Sequence, residues 1–473
     1  MIKKHLFFSL LLAAVLLCAC TACEDSKTVV VVNIENADFD EAEIFYMKDF
    51  INYNRQTYTV NAEEESFRFE MEIEHPVTAY LSLGNQQLPL FLNHDASLTV
   101  YADMEQWQET LGFSGSLKDE NRFMAAFRDQ VEPKYNQRQM IDYFRDASPE
   151  EFAEFGAEMV REATNLLEEE RFSTSETFNN YFLTEIHYQM FSNLLNYPVY
   201  HQYFNQAETT PKLPDDYYSF LGQAADFQDE KLFTSSYTSF LTEYLRHMIG
   251  QERETIPEGM SDFEKNMWMA EELLEGKTLD FARASLINFQ LNHGDFETAS
   301  EAYHEFSQLS THPDLTDLLE ETYESALKVS PGSEAPAFTL SDMEGSEVSL
   351  SDFRGQVVYL DFWASWCGPC MREVPYAKEL KKRFQEHNDL VFLYISVDED
   401  EEAWRNTVEN HEIQGVHLNV NGMRHEVPNS YNVRGVPTFF LIDRDGFILD
   451  NNPSRPSGAS IDNELKQALG LEV

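Results

Sequence analysis

One short stretch of this sequence limits its possible folds more than any other: an apolar run that leads directly into a Cys-x-x-Cys motif. Residues 357–360 are apolar, the cysteines are Cys367 and Cys370, and residues 371–384 have helix-forming composition. At the start of a helix, unpaired backbone N–H groups and the helix dipole favour a thiolate on the first cysteine. The second cysteine lies one turn into the helix, close enough to attack a mixed disulfide formed by the first. The pattern predicts a redox-active dithiol, because a zinc site would need a second ligand pair and none accompanies this motif.

The residues around the motif resemble those of the thioredoxin superfamily. Asp-Phe-Trp-Ala precedes Trp-Cys-Gly-Pro-Cys within residues 361–370, and residues 435–443 (Gly-Val-Pro-Thr-Phe-Phe-Leu-Ile-Asp) resemble the second signature of that fold. The lead-in at residues 335–355 and the extra segment at residues 397–420 are similar to those of the TlpA/ResA-like branch. The resemblance covers residues 331–473. The order of regions along the whole chain is similar to that of TlpA-type disulfide reductases of Bacteroidetes-type bacteria.

This resemblance implies a thiol-disulfide oxidoreductase that needs no cofactor. Cys367 is then the attacking thiolate, Cys370 resolves the mixed disulfide, and the two cysteines form the redox disulfide. Pro437 is expected to be cis and to face the cysteines, with the backbone of Val436 free to pair with a substrate strand. Trp366 is expected to shield the thiolate.

Two carboxylates are candidates for the base that takes the proton of the second thiol. Asp361 matches the buried aspartate of thioredoxins, and Glu373 matches the buried glutamate of the ResA-like branch. Burial would raise the pKa of either group and make it a base toward Cys370. An exposed helix-face residue is the alternative interpretation of Glu373, so the sequence leaves the assignment open.

The rest of the chain divides into regions of different composition. At 473 residues the chain is too long for one ordinary core, so two or three domains are expected. Residues 27–113 contain short β-branched and aromatic runs separated by turn residues, which predicts a β-sandwich. Residues 114–329 contain apolar residues at three- and four-residue steps, which predicts an all-α region. With an α/β thioredoxin-like fold at residues 331–473, the predicted fold class is multidomain.

Local signals place several helices within the central region. Ser148, Pro149 and Glu151 have the spacing of a capping box with proline at the first helical position. Two amphipathic faces are predicted, and their apolar residues are Phe152, Phe155, Met159, Ala163 and Leu166 in the first and Phe178, Phe182, Ile186, Met190 and Leu194 in the second. Residues 279–309 have the pattern of a helical hairpin that turns at Gly294.

Residues 1–22 have the pattern of a lipoprotein signal peptide. Two lysines precede an apolar run at residues 6–17, which is too short to span a bilayer comfortably and is typical of a secretory signal. The following cysteines resemble a lipobox, with cleavage before Cys20 or Cys23; a plain signal peptide is the alternative. We therefore expect a lipid-anchored protein of the cell envelope, facing the periplasm or the cell surface, with the outer membrane as its expected location.

Charge and composition exclude several kinds of partner. The formal net charge is −49, from 83 acidic and 34 basic residues, so phosphate backbones would be repelled and nucleic-acid binding is not expected. The histidines of the helical region lack metal-ligand spacing, and no metal is expected. The resemblance implies protein disulfides as substrates and an upstream membrane thiol as electron donor. The sequence does not exclude a homodimer that forms through the aromatic-rich helices.

Two other functions compete with disulfide reduction. A peroxiredoxin shares the lead-in hairpin, but its essential proline and Thr or Ser would fall at Leu360 and Ala364, so the peroxide pocket is absent. The other is a cell-envelope binding lipoprotein with an accessory thioredoxin domain, against which the intact cysteine pair with Pro437 argues. The sequence thus predicts a disulfide reductase outside the cytoplasm. It does not fix the reduction potential, so oxidation or isomerisation of disulfides remains an alternative.

Overall fold

The computed structural model of the chain describes residues 27–63, 66–251 and 256–472. The predicted signal peptide, with its candidate lipidation sites Cys20 and Cys23, lies outside the described residues. Among the helices within the described ranges, none combines the length and the apolar character needed to cross a bilayer.

The chain forms two compact units. Of the described residues, the first contains those up to Gly259 together with Trp268–Thr278, and the second contains Met260–Met267 and those from Leu279 onward. The helical residues 114–329 are therefore divided between the two units.

Two four-stranded β-sheets form the N-terminal part of the first unit. Their strands are β1 (Thr28–Glu35), β2 (Glu41–Met47), β3 (Arg55–Asn61), β4 (Ser66–Met71), β5 (Val77–Leu83), β6 (Gln86–Leu92), β7 (Ser97–Asp103) and β8 (Gly112–Gly115). One sheet has the order β4-β1-β7-β8 and the other β3-β2-β5-β6, and of these neighbours only β1 and β7 are parallel. Along β1, Val30, Val32 and Ile34 are buried and alternate with less buried residues, as expected when one strand face lines a core.

Helices complete the core of the first unit. They are α1 (Trp107–Thr110), α2 (Lys118–Gln130), α3 (Gln137–Asp146), α4 (Pro149–Leu167), α5 (Glu176–Asn205), α6 (Leu221–Ala224) and α7 (Ser235–Gln251). Phe123 of α2 and Phe178 of α5 belong to the same hydrophobic core as the strands. The buried side chain of Asn121 joins α2 to β6, because it accepts from the backbone N of Phe91 and donates to its O, both at 3.0 Å. The two sheets and helices α2, α4 and α5 thus share one interior.

The local helix predictions are confirmed. Ser148 and Glu151 form the capping box at the start of α4, with Pro149 at the first helical position. The predicted apolar face of α4 is buried throughout, and in that of α5 only Met190 is partly exposed. Four more helices follow, α8 (Asp262–Leu273), α9 (Gly276–His293), α10 (Phe296–Leu309) and α11 (Pro313–Leu327). Helices α9 and α10 form the predicted pair around Gly294, and Asp295 caps α10 by accepting from the backbone N of Thr298 at 2.8 Å.

A mixed five-stranded sheet is the centre of the second unit. Its elements and the hairpin before it are β9 (Thr339–Ser341), β10 (Glu347–Ser349), β11 (Val357–Trp363), α12 (Gly368–Arg383), β12 (Leu390–Ser396), α13 (Glu401–Asn410), β13 (Val416–Asn419), α14 (Glu426–Ser430), β14 (Thr438–Ile442), β15 (Ile448–Asp450) and α15 (Ile461–Leu469). The order is β13-β12-β11-β14-β15, with β11, β12 and β13 parallel and the other pairs antiparallel. This β-rich, helical and then α/β order confirms the predicted fold class.

The central strand of this sheet positions the cysteine motif. Every residue of β11 is buried, as expected for a central strand covered on both faces. The carboxyl end of β11 leads through four residues to Gly368, the first residue of α12. The site therefore rests on the most buried element of the sheet.

Candidate active site

The two cysteines lie where β11 gives way to α12. Cys367 is the N-cap of the helix, and its Sγ accepts a hydrogen bond from the backbone N of Cys370 at 3.1 Å. The two sulfurs form a disulfide with an S–S distance of 1.97 Å and a Cα–Cα distance of 5.2 Å. Because the N-terminus of α12 presents its N–H groups to Cys367, it favours a thiolate there once the disulfide is reduced.

A cis peptide bond lies against the first cysteine. The bond joins Val436 to Pro437, just before β14, which pairs with β11. The carbonyl oxygen of Val436 is 3.5 Å from the Sγ of Cys367. Val436 is half-buried and its neighbour Gly435 is exposed, so the backbone beside the sulfur is partly open to solvent. The structure thus brings Cys367, Cys370, Val436 and Pro437 together.

The surroundings of the disulfide are unevenly exposed. Cys367 and Cys370 are 3% and 5% exposed, whereas Trp366, next to them in the chain, is 65% exposed. Trp363, three residues earlier, is buried at the end of β11. The indole of Trp366 therefore gives the site an apolar surface open to solvent, while the sulfurs themselves are nearly covered.

Asp361 is a buried carboxyl group of the strand that leads into the cysteine motif. It lies on β11, and its Oδ1 is buried without a hydrogen-bond partner. Burial raises the pKa of Asp361 well above its ordinary value, the negative charge of Glu373 raises it further, and Arg455 opposes the shift. Asp361 therefore holds a proton far more readily than an exposed aspartate does.

Glu373 lies on α12, close enough for its charge to act on Asp361. It is half-buried, and both of its carboxylate oxygens accept hydrogen bonds from Ser457. The backbone N and the Oγ of Ser457 each donate at 2.9 Å. Glu373 is therefore not a freely solvated helix-face residue, and the two candidate carboxylates share one electrostatic environment.

A second buried carboxylate, which sequence reasoning missed, holds the loop before the cysteines. Asp398 follows β12 and is 1% exposed. Its oxygens accept from the backbone N of Ser365 at 2.9 and 3.2 Å, from the Oγ of Ser365 at 2.6 Å and from the Oγ of Ser396 at 2.6 Å. One signal in the sequence could have indicated it. Asp398 follows the carboxyl end of β12, which is parallel to β11, and parallel strands end at the same edge of a sheet, so Asp398 and the loop before the cysteines are expected to lie close together.

Within residues 27–63, 66–251 and 256–472, the structure has no group of three or more His, Cys, Asp or Glu side chains arranged to hold a metal ion. The site contains a cysteine pair at a helix N-terminus, a partly open stretch of backbone and two interacting carboxyl groups. These parts can exchange disulfides and move protons.

Known proteins resemble this chain over its C-terminal part. The Redoxin family model matches residues 330–468. The chain is 33% identical over 141 residues to the thiol-disulfide oxidoreductase ResA of Bacillus thuringiensis subsp. konkukian, a match that covers 30% of this chain and 79% of that relative. It is 41% identical over 121 residues to ResA of Geobacillus thermodenitrificans, covering 25% of this chain and 67% of that relative. The solved thioredoxin domain of a thiol-disulfide oxidoreductase from Bacteroides vulgatus is 30% identical and has a TM-score of 0.27, covering 29% of this chain and 96% of that one.

The Redoxin match contains both Cys367 and Cys370 as well as the cis-proline segment. The ResA relatives are matched over at least two thirds of their own length at more than 30% identity. These findings confirm the resemblance that the motif around the cysteines suggested. The chain belongs to the family of ResA-type thiol-disulfide oxidoreductases, and a thioredoxin-like Redoxin domain at its C-terminus makes it an enzyme of that class.

Proposed function

We propose that this chain reduces protein disulfides outside the cytoplasm through the Cys367–Cys370 dithiol. The observation that carries the proposal is the position of one sulfur: the Sγ of Cys367 caps α12 and lies 3.5 Å from the carbonyl oxygen of Val436. That sulfur has a helix N-terminus that favours its thiolate and, beside it, partly open backbone that can bind an extended peptide. Membership of the ResA family supports the same chemistry.

The proposed reaction has two exchange steps. The Cys367 thiolate attacks one sulfur of a substrate disulfide, the substrate S–S bond breaks, and the second substrate sulfur leaves as a thiolate that takes a proton from water. Cys370 then transfers its thiol proton to a carboxylate and attacks the Sγ of Cys367. The first substrate sulfur leaves, and the Cys367–Cys370 disulfide remains. Two electrons pass from the dithiol to the substrate.

A reductase must be returned to its dithiol form after each turnover. The disulfide carries the two oxidising equivalents taken from substrate, so a second thiol compound must remove them. We propose a membrane thiol protein as this donor, as the resemblance to TlpA-type reductases implies. The exposed Trp366 beside the nearly covered sulfurs suits a surface on which both partners dock in turn.

The lipid anchor belongs to the same proposal. Residues 1–22 have the composition of a lipoprotein signal peptide, and Cys20 or Cys23 is the proposed site of a diacylglyceryl thioether. Such an anchor places the enzyme in the cell envelope, facing the periplasm or the cell surface, most simply on the outer membrane. Mass spectrometry of the mature N-terminus measures this directly, and an unmodified amine there contradicts it.

Trapping of reaction partners tests the proposed function. In cells that produce Cys370→Ser, Cys367 still attacks substrate disulfides but cannot be released by its partner cysteine, so mixed disulfides with substrate proteins should accumulate. Non-reducing electrophoresis followed by mass spectrometry detects and identifies them.

The matched control is the double variant Cys367→Ser/Cys370→Ser, which keeps the fold and lacks the nucleophile. It should trap nothing. If Cys370→Ser formed no adducts in cells under oxidising conditions, the reductase proposal would fail and a binding role for the chain would be favoured.

A further inference from the structure

Two exposed arginines near the cysteine pair have no carboxylate partner. Arg372 lies on α12 and Arg434 in the loop before β14, and neither forms a salt bridge with any residue that the structure describes. The chain carries 83 acidic and 34 basic residues, so its arginines have many carboxylates available. Four other arginines of the second unit do form salt bridges, namely Arg354 with Glu334, Arg383 with Asp462, Arg405 with Glu401 and Arg444 with Asp389. The two arginines near the cysteines are therefore available to a carboxylate from another molecule.

The guanidinium group of Arg372 lies close to the residue that follows the first cysteine. Arg372 is one helical turn after Gly368, and long side chains of a helix extend toward its N-terminus. A methyl group on the Cα of Gly368 would lie 3.9 Å from the Nη1 of Arg372. Because Gly368 directly follows Cys367, this positive charge lies beside the proposed nucleophile. The adjacent Glu373 does not pair with it, since both oxygens of Glu373 accept from Ser457 at 2.9 Å.

Arg434 belongs to the loop that carries the cis-proline. Its neighbour Val433 is buried, whereas Arg434 and Gly435 are exposed. Arg434 is two residues before Val436, so their Cα atoms are at most about 7 Å apart. The carbonyl oxygen of Val436 is 3.5 Å from the Sγ of Cys367. The backbone proposed to pair with a substrate strand thus has an exposed positive charge two residues away.

Exposed aromatic side chains accompany these charges. Trp366 is 65% exposed and Tyr376 is 53% exposed. Tyr376 is one turn after Arg372 on α12, so the two side chains lie on the same helix face. Aromatic residues and arginine are the residue types enriched where proteins bind one another. The surface around the cysteines therefore combines apolar contact area with positive charge.

We propose that Arg372 and Arg434 select protein substrates whose disulfide is flanked by acidic side chains. This inference rests on the proposed function and names its substrate class. As an extended substrate segment binds along Val436, an Asp or Glu near the substrate cysteine pairs with one of the arginines. A guanidinium group stays charged and binds a carboxylate through two parallel hydrogen bonds. A substrate with Lys at the same places is repelled.

The test uses two peptide disulfides that differ only in the residues on either side of the cysteine, Glu in one and Lys in the other. The reduced full-length chain reacts with each peptide in a single turnover, and the rate constant for the Glu peptide is divided by that for the Lys peptide. Arg372→Gln and Arg434→Gln should each lower this ratio about threefold, and the double variant about tenfold. A general loss of reactivity slows both peptides and leaves the ratio unchanged.

Arg383→Gln is the matched control. It removes the same charge from α12 at a place about 16 Å along the helix from Arg372, where Arg383 is bonded to Asp462. Charges of exposed groups are largely screened beyond about 8 Å at physiological salt. The control should therefore keep the wild-type ratio.

Alkylation of Cys367 in the reduced chain separates this inference from the proposed function, because it needs no disulfide. Iodoacetate is anionic and iodoacetamide is neutral, so the ratio of their rates at Cys367, followed by mass spectrometry, reports the local charge. The ratio should fall about threefold in each single variant.

An unchanged peptide ratio in the double variant overturns the inference, and so does an equal fall in Arg383→Gln. If the alkylation ratio falls as expected but the wild type reduces neither peptide, the proposed function fails, while the assignment of an anion-selective surface to the two arginines stands.

Discussion

Replacing Cys367 by serine is expected to abolish disulfide reduction, with a loss on the order of 1,000-fold or more in the rate of insulin reduction. The nucleophile of the exchange is a thiolate, and the N-terminus of α12 stabilises that thiolate at Cys367 alone, because Cys367 is its N-cap. A serine hydroxyl stays protonated at neutral pH and does not attack a disulfide. The substitution removes one sulfur atom from a nearly buried position and should leave the fold intact.

The assay is insulin reduction with dithiothreitol as the electron source, measured for the wild type and the variant at equal concentration. Cys370→Ser is the matched control, since it keeps the nucleophile and loses only the resolving thiol. It should form a mixed disulfide with insulin that only dithiothreitol can resolve, so its turnover should be slower than that of the wild type but faster than that of Cys367→Ser. Turnover by Cys367→Ser within tenfold of the wild type would mean that the cysteine pair is accessory, and would favour the binding-protein alternative.

Replacing Asp361 by asparagine is expected to stabilise the oxidised chain at neutral and alkaline pH. The folded structure raises the pKa of Asp361 through burial and the charge of Glu373, so it accommodates the protonated form best. Below about pH 4 the carboxyl group is protonated in both the folded and the unfolded chain, and the substitution changes little. As the pH rises, the unfolded chain releases the proton while the folded chain keeps it. The wild type then loses about 1.4 kcal/mol for each pH unit, until the pKa of the folded state is passed.

Calorimetric melting of the oxidised chain at pH 4, 6 and 8 measures this effect. The melting temperature of the second unit should be equal in wild type and Asp361→Asn at pH 4 and higher in the variant at pH 8. Asp398→Asn is the matched control: Asp398 is also buried, but its carboxylate accepts from Ser365 and Ser396, so the amide should destabilise the unit. A melting-temperature difference for Asp361→Asn that is constant across the pH range would contradict the prediction.

The parts of the fold and of the site that follow from local sequence could be predicted. Cys367 and Cys370 are three residues apart on a helix start, and their relation depends only on that helix. The capping box at Ser148 and the buried face of α4 are likewise encoded by spacings of three and four residues. Pro437 was found by its likeness to a known signature, not by local physics.

The parts that depend on distant contacts could not be predicted. Ser457 reaches Glu373 across 84 residues, and Asp398 reaches Ser365 across 33. In each case both partners are common polar residues, and no local motif marks them as a pair. Only the folded chain brings them together. The sequence therefore leaves the choice between Asp361 and Glu373 open, because the surroundings of both carboxyl groups are set by tertiary contacts.

The shared interior of the first unit limits where the chain can be truncated or joined to another protein. A fragment that ended just after Gly115 would retain both sheets but lose Phe123 and Phe178, which complete their core. It would also leave the backbone N and O of Phe91 without the side chain of Asn121. Such a fragment would present a hydrophobic surface to water and tend to aggregate. A module exchanged with this core intact therefore contains at least the pair of sheets together with helices α2, α4 and α5.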